Sequence, residues 1–145
     1  EIAIVGRVKD TIVLSGGENI EPLPIEAALR ECEYIQTAVV VGQDKKYLGA
    51  LLVIEPHFVE RYLKNNGIPY INRDDLCGKQ EVVNLINQEV QKYVNYARGF
   101  KTFEQISKFV LLDKPFTIGR ELSSKQEIKR AEINTLYKDE IATMF

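Results

Sequence analysis

Histidine, methionine and cysteine are scarce in this chain and tryptophan is missing: 145 residues hold one His, one Met and two Cys. Cys32 and Cys77 are too few for a disulfide framework, and neither belongs to a Cys-x-x-Cys pair or stands at ligand spacing from His57. The sequence therefore offers no metal site, and a reducing, cytoplasmic compartment is the default expectation. A single histidine has no partners for a triad or a metal centre, so His57, beside Pro56 at a helix entry, reads as structural. No apolar run approaches the roughly 18 residues needed to cross a bilayer, and the N-terminus lacks the basic-then-apolar form of a signal peptide. Membrane association, if any, would be peripheral. A dominant charge is also lacking: 19 Lys and Arg against 21 Asp and Glu give a net charge of -2. Without a global basic field nucleic acid is not an expected partner, and any anion binding must come from a local cluster.

What is present is enough for one globular domain, at 45% hydrophobic and 28% charged residues. Ile2–Val5 and Thr11–Leu14 are short β-branched runs around Gly-Arg-Val-Lys-Asp, which predicts a hairpin, or a strand, a hinge and a strand. Pro22 and Pro24 follow, the second well placed to start a short helix with Ile25, Ala28, Leu29 and Cys32 on its buried face. Ala38–Val41 and Leu48–Ile54 are continuous apolar runs around a polar turn, predicting two antiparallel central strands. Phe58, Val59, Tyr62 and Leu63 mark a helix from Pro56 to Lys64, closed by Asn65-Asn66-Gly67. Residues 67–78 read as loop. The longest amphipathic signal runs from Gln80 to Ala97. Ile106–Leu112 reads as a strand ended by Pro115. From about Lys125, the residues Ile128, Ile133, Leu136, Tyr137 and Ile141 predict a final helix. There is no internal repeat, so the expected fold is one α+β domain, a small mixed or antiparallel sheet flanked by helices and preceded by a hinge strand pair.

Chemistry has to come from the polar punctuation. Arg7 has a planar fork suited to hydroxyls or phosphate, and Lys9 is a movable point charge, so the turn they share can engage a nucleotide; taken alone, it is an ordinary solvated turn. Ser15-Gly16-Gly17-Glu18-Asn19 permits positive φ and close backbone approach to a ligand. It is no P-loop, because the Gly-Lys-Ser/Thr ending and the long following helix are missing. Near the C-terminus, Arg120 to Arg130 combines possible capping serines with several cations, a pattern that in isolation describes a capped surface helix.

Together these segments say more. Gly6-Arg7-Val8-Lys9-Asp10-Thr11-Ile12, then Gly16-Gly17-Glu18-Asn19-Ile20, then Pro24-Ile25-Glu26 resembles the hinge and glycine loop of adenylate-forming enzymes, long-chain fatty acyl-CoA synthetases above all. Tyr34–Gly42, Tyr47–Leu51 and Gly99–Ile106 resemble later stretches of that family's C-terminal domain, in the same order, so the likeness covers nearly the whole chain.

The resemblance implies a ligase that activates a fatty acid with ATP to an acyl-adenylate, then passes the acyl group to coenzyme A. This chain would be its mobile lid, with residues 1–20 as hinge strands and glycine loop and 21–145 as the lid domain. A large N-terminal adenylation domain, whose phosphate-loop and acyl-pocket motifs do not occur here, would bind ATP, Mg2+ and the fatty acid. No cofactor is expected on the lid alone. By the same resemblance Arg7 would contact the adenylate ribose, Lys9 would be the pivot, and Ser15, Gly16, Gly17, Glu18 and Asn19 would line the pantetheine channel.

One position departs from the family. A lysine is expected in a Lys-Ile/Val-x-Arg setting near the C-terminus, where it stabilises charge on the reacting carboxylate and α-phosphate. Alignment of Glu127-Ile128-Lys129-Arg130 puts Glu127 there, and a carboxylate would repel the phosphate. Either Lys125 or Lys129 substitutes from a shifted helix start, Lys125 favoured because it lies nearer the loop, or the adenylation half-reaction is weak. Two other readings share the fold: an acyl-acyl-carrier-protein synthetase, and a stand-alone binding module without catalysis. A start at Glu1-Ile2-Ala3, without an initiator Met, favours a piece of a longer ligase, and such a piece is expected to be inactive alone.

Overall fold

The computed structural model describes residues 11–71, 76–112, 115–125 and 128–145. The expected strand Ile2–Val5, the hinge residues Arg7 and Lys9, and Glu127 lie outside the described residues. In chain order the elements are β1 (Ile12–Val13), β2 (Asn19–Ile20), α1 (Pro22–Arg30), β3 (Ile35–Val41), β4 (Leu48–Ile54), α2 (Pro56–Asn65), α3 (Gln80–Tyr93), β5 (Ile106–Leu112), α4 (Arg130–Leu136) and α5 (Lys138–Ala142). Single 3-10 turns at Tyr96–Arg98 and Thr102–Glu104 link α3 to β5.

β4 is buried at all seven positions because both of its faces are covered, which is why its sequence has no polar alternation. It pairs antiparallel with β3 and parallel with β5, in the order β3-β4-β5. Ala38, Val40, Leu48, Ala50, Leu52 and Ile54 point to one face, against buried residues of α1, α2 and α3. Val39, Val41, Leu51 and Val53 point to the other, against Phe116, Ile133 and Met144. This is the expected α+β domain with a mixed sheet. Of the two strands predicted to be central, only β4 is; β3 forms an edge among the described strands.

Helix α1 begins at Pro22 rather than at Pro24. Both prolines fit the first turn, where backbone N–H groups have no intrahelical partner. The long amphipathic helix stops at Tyr93, short of the predicted Ala97, which is exposed. Asn95 ends it: its amide donates to the carbonyls of Gln91 at 2.8 Å and Lys92 at 3.0 Å, while its side-chain oxygen accepts from the Arg98 N–H at 3.0 Å. These bonds hold the chain in a tight turn that a continuing helix would not allow.

The last correction concerns the tail. The final helix starts at Arg130, five residues after the predicted Lys125, and breaks at Tyr137. Leu122 instead forms isolated bridges with Ile118 and with Ile128. Pairing of that kind needs extended backbone and excludes helix, so Ser123 and Ser124 are not its cap; Lys129 stands at the N-cap position.

Candidate functional site

The glycine loop is the tip of the β1–β2 hairpin, in which Ile12 pairs with Ile20 and Val13 with Asn19. Its turn is closed by the Leu14 N–H donating to the Glu18 carbonyl at 3.0 Å and the Gly17 N–H donating to the Leu14 carbonyl at 2.9 Å. Gly17 has φ +91°, and a Cβ there would meet nothing, so glycine is required by backbone conformation and not by crowding. Ser15, Gly16, Gly17 and Asn19 are exposed and Glu18 is half-buried. The hairpin is bolted to the turn between β3 and β4: Ser15 N–H donates to the Lys45 carbonyl at 2.9 Å and Asp44 N–H to the Val13 carbonyl at 2.9 Å. The Gln43 side chain accepts from the Val13 N–H at 3.1 Å. Ile12, Leu14 and Ile20 are buried in the α1–α3 core, so the exposed lip stands on a packed base.

The tail is a loop, not a helix end. The antiparallel Leu122–Ile128 bridge closes it, and the Lys129 N–H donates to the Glu121 carbonyl at 2.8 Å. Lys125 is exposed, with its N–H donating to Ser123 Oγ at 3.2 Å. Lys129 is half-buried at the base, directly before α4. At the base of this loop stands Glu121, at 1% exposure, and its carboxylate is fully partnered. It accepts from Arg120 Nη1 at 2.6 Å, Tyr137 Oη at 2.6 Å, Thr117 N at 3.1 Å and Thr117 Oγ1 at 3.3 Å. Burial alone would raise its pKa, but the bonds from Tyr137 and Thr117 and the Arg120 charge outweigh it and hold the carboxyl below its ordinary 4.5. Tyr137 is pushed up to about 12, first by burial and then by donating to Glu121.

The chain's sequence matches a known family along most of its length: residues 9–145 fit the family described as "AMP-binding enzyme C-terminal domain". The chain belongs to that family. It is 33% identical over 145 residues to the long-chain-fatty-acid–[acyl-carrier-protein] ligase AEE15, chloroplastic, of Arabidopsis thaliana, covering 99% of this chain and 18% of that protein. To the long-chain-fatty-acid–CoA ligase FadD15 of Mycobacterium tuberculosis it is 32% identical over 146 residues, covering 99% and 24%. The adenylation domain of a carboxylate reductase from Mycobacterium chelonae shares the fold, with a TM-score of 0.77 at 22% identity over 95% of this chain and 20% of that one. The chain thus spans about a fifth of the length of the curated relatives it matches.

As an AMP-binding enzyme C-terminal domain, the chain spends several of its recognisable motifs on packing. In Tyr47-Leu48-Gly49, the Tyr47 hydroxyl donates to the Met144 carbonyl at 2.7 Å and its ring stacks on Phe145 at 5.3 Å between centroids. Gly49 makes room for the same two C-terminal residues. Cys32 is buried, donates to Glu89 Oε1 at 3.3 Å, and is pushed up to about 12 chiefly by burial, which makes it an inert thiol. His57 is exposed in the first turn of α2. Among the described residues no group of three or more His, Cys, Asp or Glu is placed to hold a metal ion, and no helix is long and apolar enough to cross a membrane.

Sequence reasoning gives no role to Glu121, nor to Glu26 and Arg130, although these two stand in motifs that carry the family resemblance. Glu26 did carry a signal: it sits between buried Ile25 and Ala28 on the apolar stripe of α1, where a carboxylate requires a partner. Its partner is Arg130, whose two terminal nitrogens donate to its two oxygens at 2.8 and 2.7 Å. No short-range pattern points from one residue to the other across 104 positions.

Proposed function

We propose that this chain is the mobile lid of an ATP-dependent long-chain fatty acid ligase that forms an acyl-adenylate and then an acyl thioester. The observation carrying this reading is the end-to-end match, at 32–33% identity, to two ligases whose names specify long-chain fatty acids. The built features agree with it. An exposed glycine lip on a rigid base suits passage of a narrow thiol arm, and a cation-bearing loop standing clear of the core suits reaching into a site on another domain.

In this reading residues 1–20 are hinge and lip, residues 21–145 are the lid, Lys9 is the pivot and Arg7 meets the adenylate ribose. Ser15 to Asn19 border the channel of the thiol acceptor. ATP, Mg2+ and the fatty acid belong to an adenylation domain elsewhere in the polypeptide, and coenzyme A enters for the second step in the cytoplasm. The name of the acyl-carrier-protein ligase supports a second acceptor, since the same lid serves either thiol.

Lys125 is the first candidate for the adenylation cation. It is exposed beyond the Leu122–Ile128 bridge, whereas Lys129 is half-buried at the loop base. In the full-length protein, Lys125→Ala is expected to lower fatty-acid-dependent ATP/pyrophosphate exchange by about 100-fold, the usual cost of removing one preorganised stabilising charge. Lys129→Ala should cost less. Undiminished exchange in Lys125→Ala would remove the assignment, and absence of fatty-acid-dependent exchange in the unaltered protein would overturn the ligase reading itself.

A further inference from the structure

The glycine lip and the tail loop rest on different supports, the β3–β4 turn and the Glu121 cluster. One contact joins the helix behind the first to the base of the second. Glu26, on α1 just after the lip hairpin, and Arg130, the first residue of α4, form a two-bond ion pair whose side chains are 3% and 17% exposed. Glu26 Oε2 also accepts from the Val40 N–H at 2.8 Å. β3 is an edge strand among those described, so this bond closes a backbone donor that the sheet leaves unpaired. Arg130 additionally lines a cavity of about 180 Å3 shared with Thr11 and Ile12 of the strand that follows the hinge, and with Gly42 and Gln43 of the turn that carries the lip.

Three successive residues at the tail base are each fixed to a different support. Ile128 is bridged to Leu122, the Lys129 N–H is held by the Glu121 carbonyl, and the Arg130 guanidinium is held by Glu26. The N-cap residue Lys129 makes no side-chain cap bond, and among the described residues these bonds mark where the helix begins.

We infer that Glu26 and Arg130 are positioning residues for the adenylation half-reaction: their ion pair sets the angle at which the chain around Lys125 leaves the lid. The inference rests on the ligase reading above. A planar guanidinium bound through two parallel bonds fixes orientation as well as distance, which an ammonium does not. The loop tip lies beyond the pair and acts on a distant domain, so a small rotation at its base becomes a misplacement of its cation. The thiol lip has its own support in the Lys45 and Asp44 backbone bonds and does not depend on the loop's direction.

The test uses the full-length enzyme with Arg130→Met and Arg130→Lys, measuring both half-reactions. In Arg130→Met, fatty-acid-dependent ATP/pyrophosphate exchange is expected to fall about 10- to 100-fold, the scale of a misplacement of about an ångström. Thioester formation from supplied palmitoyl-adenylate should be unchanged. Arg130→Lys keeps the charge without the fork and should give an intermediate loss in exchange alone. If Arg130→Met does not fold, Arg130→Lys decides the matter by the same split. Equal loss of both half-reactions, or loss of neither, in a folded variant of an active enzyme would overturn the inference and leave the ligase reading standing. An unaltered enzyme without exchange overturns both.

Discussion

A methyl group added at Gly49 would stand 2.9 Å from the Met144 sulfur and 3.2 Å from the Phe145 ring. Gly49 is in β4, with ordinary strand backbone, so the requirement for glycine here is one of space and not of torsion. The C-terminal residues occupy the position a side chain would take. Met144 can swing its sulfur aside only by giving up burial in the second core cluster, where it is 2% exposed. Gly49→Ala is therefore expected to destabilise the domain by about 1–3 kcal/mol, as overpacking does. A lowered urea midpoint with an unchanged slope would register it; an unshifted midpoint would mean that the C-terminal residues relax freely. At Gly17 the same substitution meets empty space and is opposed by the positive φ alone.

At the scale of elements, one buried carboxylate joins the turn Thr117–Leu122 to Tyr137 at the C-cap of helix α4. Removing the negative charge in Glu121→Gln leaves Tyr137, Thr117 and Arg120 competing for a group that no longer accepts at both atoms, and should cost about 1–3 kcal/mol. The pH dependence follows from the two shifts. Glu121 is held below 4.5 in the folded chain, so its contribution is present above that value and is lost as pH falls through the lowered one. Tyr137 is raised from 10 to about 12, so its contribution is present below pH 10 and is lost between those values. The stability difference between the unaltered chain and Glu121→Gln should be flat from pH 6 to 9 and shrink below 4.5, read from urea midpoints; a constant difference down to pH 3 would sink this account. The cluster also shows why the tail was misread. Ile128, Ile133, Leu136 and Ile141 have helical spacing, but spacing does not report the Leu122–Ile128 bridge or the Glu121 carboxylate. β4, α2 and β5 were legible because burial on one or both faces prints directly on the apolar pattern. The end of α3 was not, since it depends on hydrogen bonds made by Asn95. The glycine turn was legible because its glycines mark backbone geometry, while the Glu26–Arg130 pair was not, because Glu26 signals only that a partner is needed and Arg130 reads as a surface charge until the fold brings them together.

For the whole molecule, the central strand is covered on both faces by elements of this chain itself: α1, α2 and α3 on one side, and Phe116, Ile133 and Met144 on the other. Closure of this core therefore draws only on the described residues. The segments read as functional carry by contrast mostly exposed residues: Ser15, Gly16, Gly17 and Asn19 in one, Ser124 and Lys125 in the other. Folding and catalysis should then separate. The 145-residue chain by itself is expected to unfold in a single cooperative urea transition, with a slope of about 1–3 kcal/mol/M as for other small domains. In the same preparation it should support no fatty-acid-dependent ATP/pyrophosphate exchange, because on the reading proposed here the groups that hold ATP and the acyl chain are on the other domain. A gradual, non-cooperative transition would show that the two core layers need an outside partner, and exchange by the isolated chain would show that an adenylation site is present within these residues.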